Sequence, residues 1–206
     1  MAISGLATAG GTLALAVTTY ASVRSANKAA RAAELSLLAG LRPLLVSSTE
    51  VDPQIRVNFS DLQGVAVPGG GAAVEMIEDR LYVVVSLRNV GAGIAVLHGG
   101  HVYPERQGGS AEHAELEAFT RIRRDIYVPP GDVGYWQIAW RGDDPVKGAV
   151  LREVESGYLS VEVLYGDFEG GQRVISRFGV GREERGWRVS TIRHWQLDRP
   201  DVRPRD

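Results

Sequence analysis

Short β-patterned segments fill most of the chain after Pro43 and constrain its fold more than any other feature. They are rich in Val, Ile, Tyr and Trp, and Gly, Pro, Asn or Asp residues bound them, as is typical of strands. The predicted strands cover residues 44–47, 55–59, 81–87, 94–103, 122–128, 135–140, 158–165, 174–178 and 187–195. About seven to nine short strands with little helical pattern between them predict an antiparallel β-sandwich.

The apolar pattern within the strands predicts their burial. Residues 81–85 are almost continuously apolar, so this strand is expected at the centre, covered on both faces. Apolar and polar residues alternate over 158–165, which predicts a half-buried strand. The predicted domain, residues 43–198, is long enough to bury a core without disulfide or metal support, and the chain has no Cys.

Two stretches interrupt the strand pattern. Residues 61–73 contain Pro68 and three consecutive glycines, and residues 104–118 are mostly polar, with an Ala/Glu part that predicts a short helix. Both are predicted as loops between strands. Loops on a rigid scaffold often carry binding residues, so either is a candidate binding site.

The N-terminal stretch from residue 2 to 23 has no charged residue. As a helix it would be roughly 33 Å long, enough to cross a hydrocarbon core of about 30 Å, and we expect a transmembrane helix over residues 1–23. The alternative is a soluble helix that packs on the domain, because Ala, Gly and Thr dilute the apolar residues. Small residues at spacings of four also allow a homodimer through this helix.

Basic residues directly follow the uncharged stretch, within a predicted juxtamembrane helix over residues 24–42: Arg24, Lys28, Arg31 and Arg42. The positive-inside rule then predicts an inner-membrane protein with its N-terminus outside and its C-terminal domain in the cytoplasm. The basic residues either lie against anionic headgroups or form a solvated face. Residues 199–206, with two prolines among charged residues, are predicted to be a disordered tail.

The segments "RAAELSLLAGLRPLLV", "VSLRNVGAGIAVL", "VPPGDVGYW" and "YGDFEGGQRVISRF" resemble a broad class of bacterial membrane-anchored proteins without an assigned activity. That class carries an immunoglobulin-like or fibronectin-like β-sandwich, and the Ala, Arg, Gly and Val usage here is similar to that of actinobacterial chains. The resemblance spans nearly the whole chain. It implies an architecture and a membrane topology, and no catalytic residues.

Motifs for catalysis, metals and cofactors are weak throughout the sequence. Gly91 and Gly93 imitate a dinucleotide-binding turn, but Val96 stands where a third glycine belongs and a strand, not a helix, is predicted to follow. His98 and His101, three residues apart on a regular strand, are expected on opposite faces. The sequence therefore predicts no catalytic residues, no metal site and no cofactor.

Charge argues against nucleic acid as a partner. The formal net charge is −2, and the predicted domain is more acidic still because four basic residues and one acidic residue precede it. An acidic domain is repelled by phosphate backbones unless its basic residues are segregated on one face.

The aromatic residues offer one candidate binding surface. Trp136 and Trp140 are four residues apart, so they share a face of their strand, and Arg121, Arg123 and Arg141 are expected nearby. The alternative is that both tryptophans belong to the core. With the bilayer contacted by residues 2–23, the sequence predicts a single-pass protein whose β-sandwich is a non-catalytic interaction or ligand-sensing module with an unspecified protein partner. The alternatives are a membrane-tethered hydrolase or metal-dependent enzyme, and an extracytoplasmic sandwich that binds envelope polymers.

Overall fold

The computed structural model describes residues 2–105 and 112–198, except for the side chains of 2–14, 38 and 39. The chain divides into a helical unit that ends at Gly40 and a β-rich unit that begins at Leu41. The tail predicted over 199–206 lies outside the described residues.

The helical unit is one continuous helix, α1 (Ala2–Gly40), which includes most of both predicted helical segments, 1–23 and 24–42. Every described side chain from residue 15 to residue 37 is exposed, including the apolar Leu15, Val17 and Leu37. Within the described residues, no helix combines the length and the apolar character of a membrane span, so the transmembrane helix predicted over 1–23 is not supported.

The described part of the β-rich unit contains twelve strands and one α-helix. The strands are β1 (Leu45–Ser47), β2 (Ile55–Asn58), β3 (Gly64–Val67), β4 (Gly71–Ile77), β5 (Arg80–Asn89), β6 (Ala95–Val102), β7 (Thr120–Arg121), β8 (Tyr127–Val128), β9 (Val133–Arg141), β10 (Tyr158–Gly166), β11 (Arg173–Glu183) and β12 (Gly186–Gln196). The helix is α2 (Pro145–Ser156), and a 3₁₀ turn spans Leu116–Ala118.

Ten strands form one antiparallel sheet, and β2 and β3 form a separate hairpin. In the first half of the large sheet, β5 pairs with β4, β1 and β9. In the second half, β12, β11, β10 and β6 follow in order, with β7 and β8 paired to β6. The halves join where β4 pairs with β12 at two positions, Trp187 with Ala72 and Arg188 with Gly71.

The main core lies between these two halves of the sheet. It combines apolar side chains of β5 and β9 with those of β6, β10 and β11, and Val150 of α2 is also fully buried in it. This packing confirms the coarse prediction of a mainly antiparallel β protein whose strands enclose a core.

A second, smaller core lies on the other face of β5, beneath the β2–β3 hairpin. Tyr82 and Val84 of β5 pack there against Val57 and Val65. Because its odd-numbered apolar residues belong to the main core, β5 is covered on both faces, which confirms the prediction for residues 81–85.

Three predicted regions differ in the structure. The loop predicted over 61–73 contains β3 and the start of β4, because Pro68 interrupts an otherwise alternating pattern. The strand predicted over 122–128 is reduced to the two-residue β8 at its end. Helix α2 was not predicted, although Asp144 caps it by accepting a 2.9 Å hydrogen bond from the Val146 N–H, and Gly157 ends it at a φ of 82°.

Candidate functional site

The two tryptophans of the predicted binding surface lie in the main core. Trp136 is 1% exposed and Trp140 is 5% exposed, so neither ring is available to a ligand from outside. Trp136 packs directly on β6, where a Cβ at Gly100 would lie 1.9 Å from its indole Nε1. Both residues therefore occupy the core position that the sequence also allowed.

The arginines of that predicted surface are not brought together. Arg121 is exposed on β7 beside Gly99, and Arg123 is exposed after it. Arg141 lies in the other half of the sheet and donates hydrogen bonds to Ser60 at 3.0 Å and to Asp61 at 3.3 Å. These five predicted residues therefore do not form one surface.

The predicted membrane-facing basic residues fall into two places. Arg24, Lys28 and Arg31 lie along one exposed face of α1. Arg42 belongs to the β-rich unit, where its Nε donates a 2.6 Å hydrogen bond to the Gln172 side chain. It is thereby held beside the turn between β10 and β11.

The two histidines of β6 do not point to opposite faces. Relative to β10, β6 has an extra residue, His98, between Leu97 and Gly99. This bulge places both Leu97 and Val102 toward the main core, and His98 and His101 on the other side of the sheet. The sequence prediction was wrong because it assumed a regular strand.

These histidines do not form part of a metal site in the described chain. Across residues 2–105 and 112–198, no group of three or more His, Asp or Glu side chains is placed to hold a metal ion. The pKa of His98 is lowered by burial and by the nearby guanidinium groups of Arg173 and Arg121, which disfavour a second positive charge.

A serine and a histidine meet within the sheet, in an arrangement that supports structure. The Ser176 hydroxyl lies 2.6 Å from Nδ1 of His194 and 2.9 Å from the Tyr165 hydroxyl, which accepts a hydrogen bond from the Leu45 N–H. Burial raises the pKa of Tyr165 to about 12. Since Ser176 is fully buried, its hydroxyl is closed to a substrate, and the network instead ties β1 to β10 and β11.

A buried ion pair occupies the outer face of β10 and β11. Arg177 is 1% exposed, Glu162 is fully buried, and their side chains are 2.7 Å apart. Arg177 also donates to the Glu112 carbonyl, and Glu162 accepts a 2.9 Å hydrogen bond from the Ala114 N–H. The segment that begins at Glu112 therefore covers this face, which the alternation over 158–165 had predicted to be exposed.

Two further tryptophans, Trp187 and Trp195, lie on opposite faces of β12. A register shift between Thr191 and Arg193 breaks the regular alternation. Trp187 consequently packs against the main core, whereas the Arg177 guanidinium lies 4.9 Å from the centre of the Trp195 ring on the outer face.

An open groove lies where β1 runs beside β12 without pairing to it, which we call the seam groove. Its volume is about 730 Å³, and it is lined by Val46, Ser47, Ser48, Thr49, Glu50, Gly70, Arg188, Val189, Ser190 and Thr191. The Ser47 N–H donates to the Thr191 hydroxyl at 2.8 Å, so a side chain bridges the strands at this point.

Charged residues close one end of the seam groove. Arg188 forms ion pairs with Glu50 and with Glu183, the latter at 2.9 Å. Hydrogen bonding to Arg188 lowers the pKa of Glu50. A second cavity of about 280 Å³ adjoins the groove here, beside Trp187 and Gly70.

A pair of exposed aromatic residues marks a different part of the β-rich unit. Phe168 is 69% exposed and Tyr127 is 58% exposed, and their ring centres are 6.4 Å apart. Neither residue is among the predicted binding residues. A phenylalanine inside the Gly- and Asp-rich turn "GDFEGG" is the signal that would have identified this position.

No protein-family model, curated protein or solved structure matches this chain.

Proposed function

We propose that the β-rich unit is a non-catalytic interaction module, which α1 attaches to a bacterial inner membrane. The observation that carries the proposal is the seam groove, an accessible concave surface between two strands. Its lining offers hydroxyl and backbone groups that donate and accept hydrogen bonds, as sites that orient a polar ligand do.

The polar chemistry of the groove favours binding over catalysis. Ser47 and Thr191 contact each other through a backbone N–H and a hydroxyl, and no histidine lines the groove. The Ser176–His194 contact, which has the chemistry of a nucleophile and a base, is buried elsewhere. A polar segment of a partner protein is the occupant that fits this open, hydroxyl-lined shape.

Attachment to the membrane is supported by the composition and exposure of α1. Its first 22 residues carry no charge, the described apolar side chains on it are exposed, and Arg24, Lys28 and Arg31 follow on one face. Apolar residues followed by basic ones favour association with an anionic inner leaflet. The resemblance to membrane-anchored bacterial β-sandwich proteins supports the same proposal.

Site-specific photocrosslinking tests the groove. A benzophenone amino acid at Ser190, an exposed lining residue, is expected to give a discrete adduct in the bacterial host. The matched control is the same substitution at Glu155, which is exposed on α2. Equal adduct patterns from the two positions, or no adduct at Ser190, would contradict binding in the groove.

Fractionation and protease protection test the attachment and its orientation. With a C-terminal tag, we expect the protein in the membrane fraction and the tag protected in intact spheroplasts. Digestion of the tag in intact spheroplasts would overturn the orientation and favour binding to envelope polymers. Recovery in the soluble fraction would overturn the attachment.

A further inference from the structure

The turn between β10 and β11 holds an exposed aromatic side chain in a fixed position. The Gly170 N–H donates to the Asp167 carbonyl at 3.2 Å, and the Gly171 N–H donates to the Asp167 side chain at 2.8 Å. Gly170 has a φ of 77°, a conformation that glycine adopts without strain. Asp167 is buried and anchors the turn, and Phe168 points outward from it. Because the turn is already ordered, binding through Phe168 would cost little further backbone entropy.

Other exposed apolar residues lie at the same end of the β-rich unit. Tyr127 adjoins Phe168, and Ile94, Val90 and Leu41 are 39%, 53% and 48% exposed. The backbone connects these positions, since the Ala92 N–H donates to the Arg42 carbonyl and the Val90 N–H to the Leu44 carbonyl. We call this surface, formed by Leu41, Val90, Ile94, Tyr127 and Phe168, the aromatic end.

Arginines surround the aromatic end. Arg42 bonds to Gln172 in the same turn as Phe168, and Arg173 follows that turn directly. Arg121 and Arg173 both lie near enough to His98 for their charges to lower its pKa, and the His98 ring lies against Gly166 at the start of the turn. The acidic residues at this end include Asp167, which is buried within the turn, Glu169, which is exposed, and Asp198, which lies 4.0 Å from Arg173.

We propose that the aromatic end rests on the surface of an anionic bilayer, with Phe168 and Tyr127 in the interfacial region and Arg42, Arg121 and Arg173 near lipid phosphates. Aromatic rings and arginines are the side chains suited to that boundary, because each combines an apolar body with a polar or charged tip. The inference rests on the proposed attachment through α1, and the chain enters the β-rich unit from α1 at Leu41, within this surface.

Charge favours a lipid surface over a second copy of the chain. A symmetric dimer through the aromatic end would bring the same three arginines of two copies together, and like charges facing each other weaken association. An anionic membrane instead supplies the complementary charge for all three.

The test uses a fluorescent probe on the full chain, which has no natural cysteine. Phe168→Cys and, as a control, Leu62→Cys are each labelled with an environment-sensitive nitrobenzoxadiazole dye. Leu62 is 92% exposed and lies beside Asp61, which forms ion pairs with Arg80 and Arg141. Arg80 is the first residue of β5, whereas Val90 of the aromatic end follows its last residue, so Leu62 lies away from the aromatic end. Vesicles contain phosphatidylcholine alone or with one quarter phosphatidylglycerol.

With anionic vesicles we expect a several-fold rise and a blue shift in emission at position 168, quenching by nitroxide-labelled lipids, and little change at position 62. Arg121→Glu is expected to reduce the rise at position 168. Equal responses at the two positions in chains that sediment with vesicles would overturn this proposal while leaving the attachment through α1 intact. Chains that remain in the supernatant would overturn the attachment and, with it, the membrane contact.

Two further outcomes would also overturn the proposal. An equal rise on uncharged phosphatidylcholine vesicles would show that anionic lipid is not what the surface recognises. A rise at position 168 with protein concentration in the absence of vesicles would assign the aromatic end to contact with a second copy.

Discussion

Gly100 has no side chain, and this allows β6 to pack closely against Trp136 of β9. A Cβ at this position would lie 1.9 Å from Nε1 of the buried Trp136. We expect Gly100→Ala to lower the free energy of unfolding by roughly 2–3 kcal/mol, because the indole cannot move within a close-packed core without displacing its neighbours. Urea unfolding followed by circular dichroism measures the change.

Gly148, the fourth residue of α2, provides the matched control, because nothing lies within 4 Å of a Cβ built there. Gly148→Ala should stabilise the protein by about 0.5–1 kcal/mol, since glycine weakens helix interiors. Equal urea midpoints for Gly100→Ala and Gly148→Ala would show that the packing of Trp136 does not require a glycine at position 100.

Asp52 links a loop to the central strand and confers pH dependence. The Asp52 carboxylate accepts hydrogen bonds from the Arg88 guanidinium and, at 2.7 Å, from the Thr49 backbone N–H. These bonds hold the pKa of Asp52 well below its usual range. The carboxylate therefore stabilises the fold above about pH 4, the ordinary value for Asp, and this contribution falls as the pH drops further. We expect Asp52→Asn to be less stable at pH 7.

The same variant should lose less stability than the wild type between pH 4 and more acidic conditions, because it has no carboxylate to protonate. Melting temperatures measured across this range by scanning calorimetry check the difference in slope. If the melting temperatures of the two proteins fall equally steeply below pH 4, the acid sensitivity belongs to other carboxylates.

At the scale of elements, the buried Glu162–Arg177 pair fixes the segment from Glu112 onto the outer face of β10 and β11. Arg177→Met should cost about 3–5 kcal/mol, because it leaves the Glu162 carboxylate buried without its charged partner. Adding Glu162→Leu should recover part of that loss, because both charges are then gone. Hydrogen exchange should rise at Ala114 in both variants, since the carboxylate in the single variant is free to reorient and is absent from the double one.

A double variant less stable than the single variant would contradict this expectation, because it would show that the unpaired Glu162 carboxylate is not what destabilises Arg177→Met. Unchanged exchange at Ala114 in the double variant would show that other contacts hold the segment in place.

The sequence predicts elements well where local patterns are regular and poorly where one residue alters them. The continuous apolar run of β5 correctly predicts a central strand covered on both faces. The bulge at His98 and the register shift before Arg193 each reverse the alternation beyond them, so the prediction for His101 fails and Trp195 lies on the face opposite Trp187. Helix α2 has recognisable cap residues, but its apolar face is too short to stand out between strands.

Site prediction fails for a related reason, which is that exposure depends on contacts between distant segments. Trp136 and Trp140 share a face as predicted from their spacing, but that face is the core. Glu162 alternates like a surface residue, yet the segment from Glu112 covers it. The seam groove arises where β1 and β12, more than 130 residues apart in sequence, run side by side, as the Ser47–Thr191 contact shows.

At the scale of the whole molecule, both hydrophobic cores lie entirely between Leu45 and Val189. A chain that begins at Leu41 should therefore unfold cooperatively, because none of the core is removed. Its melting temperature should lie within about 2 °C of that of the full chain. Scanning calorimetry of both chains, in the same detergent, tests this expectation. A fall in melting temperature of more than about 5 °C, equivalent to roughly 1.5–2 kcal/mol for a domain of this size, would show that α1 contributes to the stability of the β-rich unit.

The position of β1 has a mechanical consequence. This strand follows α1 after four residues and pairs with β5 at only three positions, whereas β11 and β12 pair at ten. A pulling force applied through the helix therefore reaches this ladder of three paired positions first. Beyond that ladder, the hydrogen bonds from Leu45 to Tyr165 and from Ser47 to Thr191 also hold β1 in place. Under tension the strand would peel away before the rest of the sheet yields, and the seam groove, of which β1 forms one wall, would open with it.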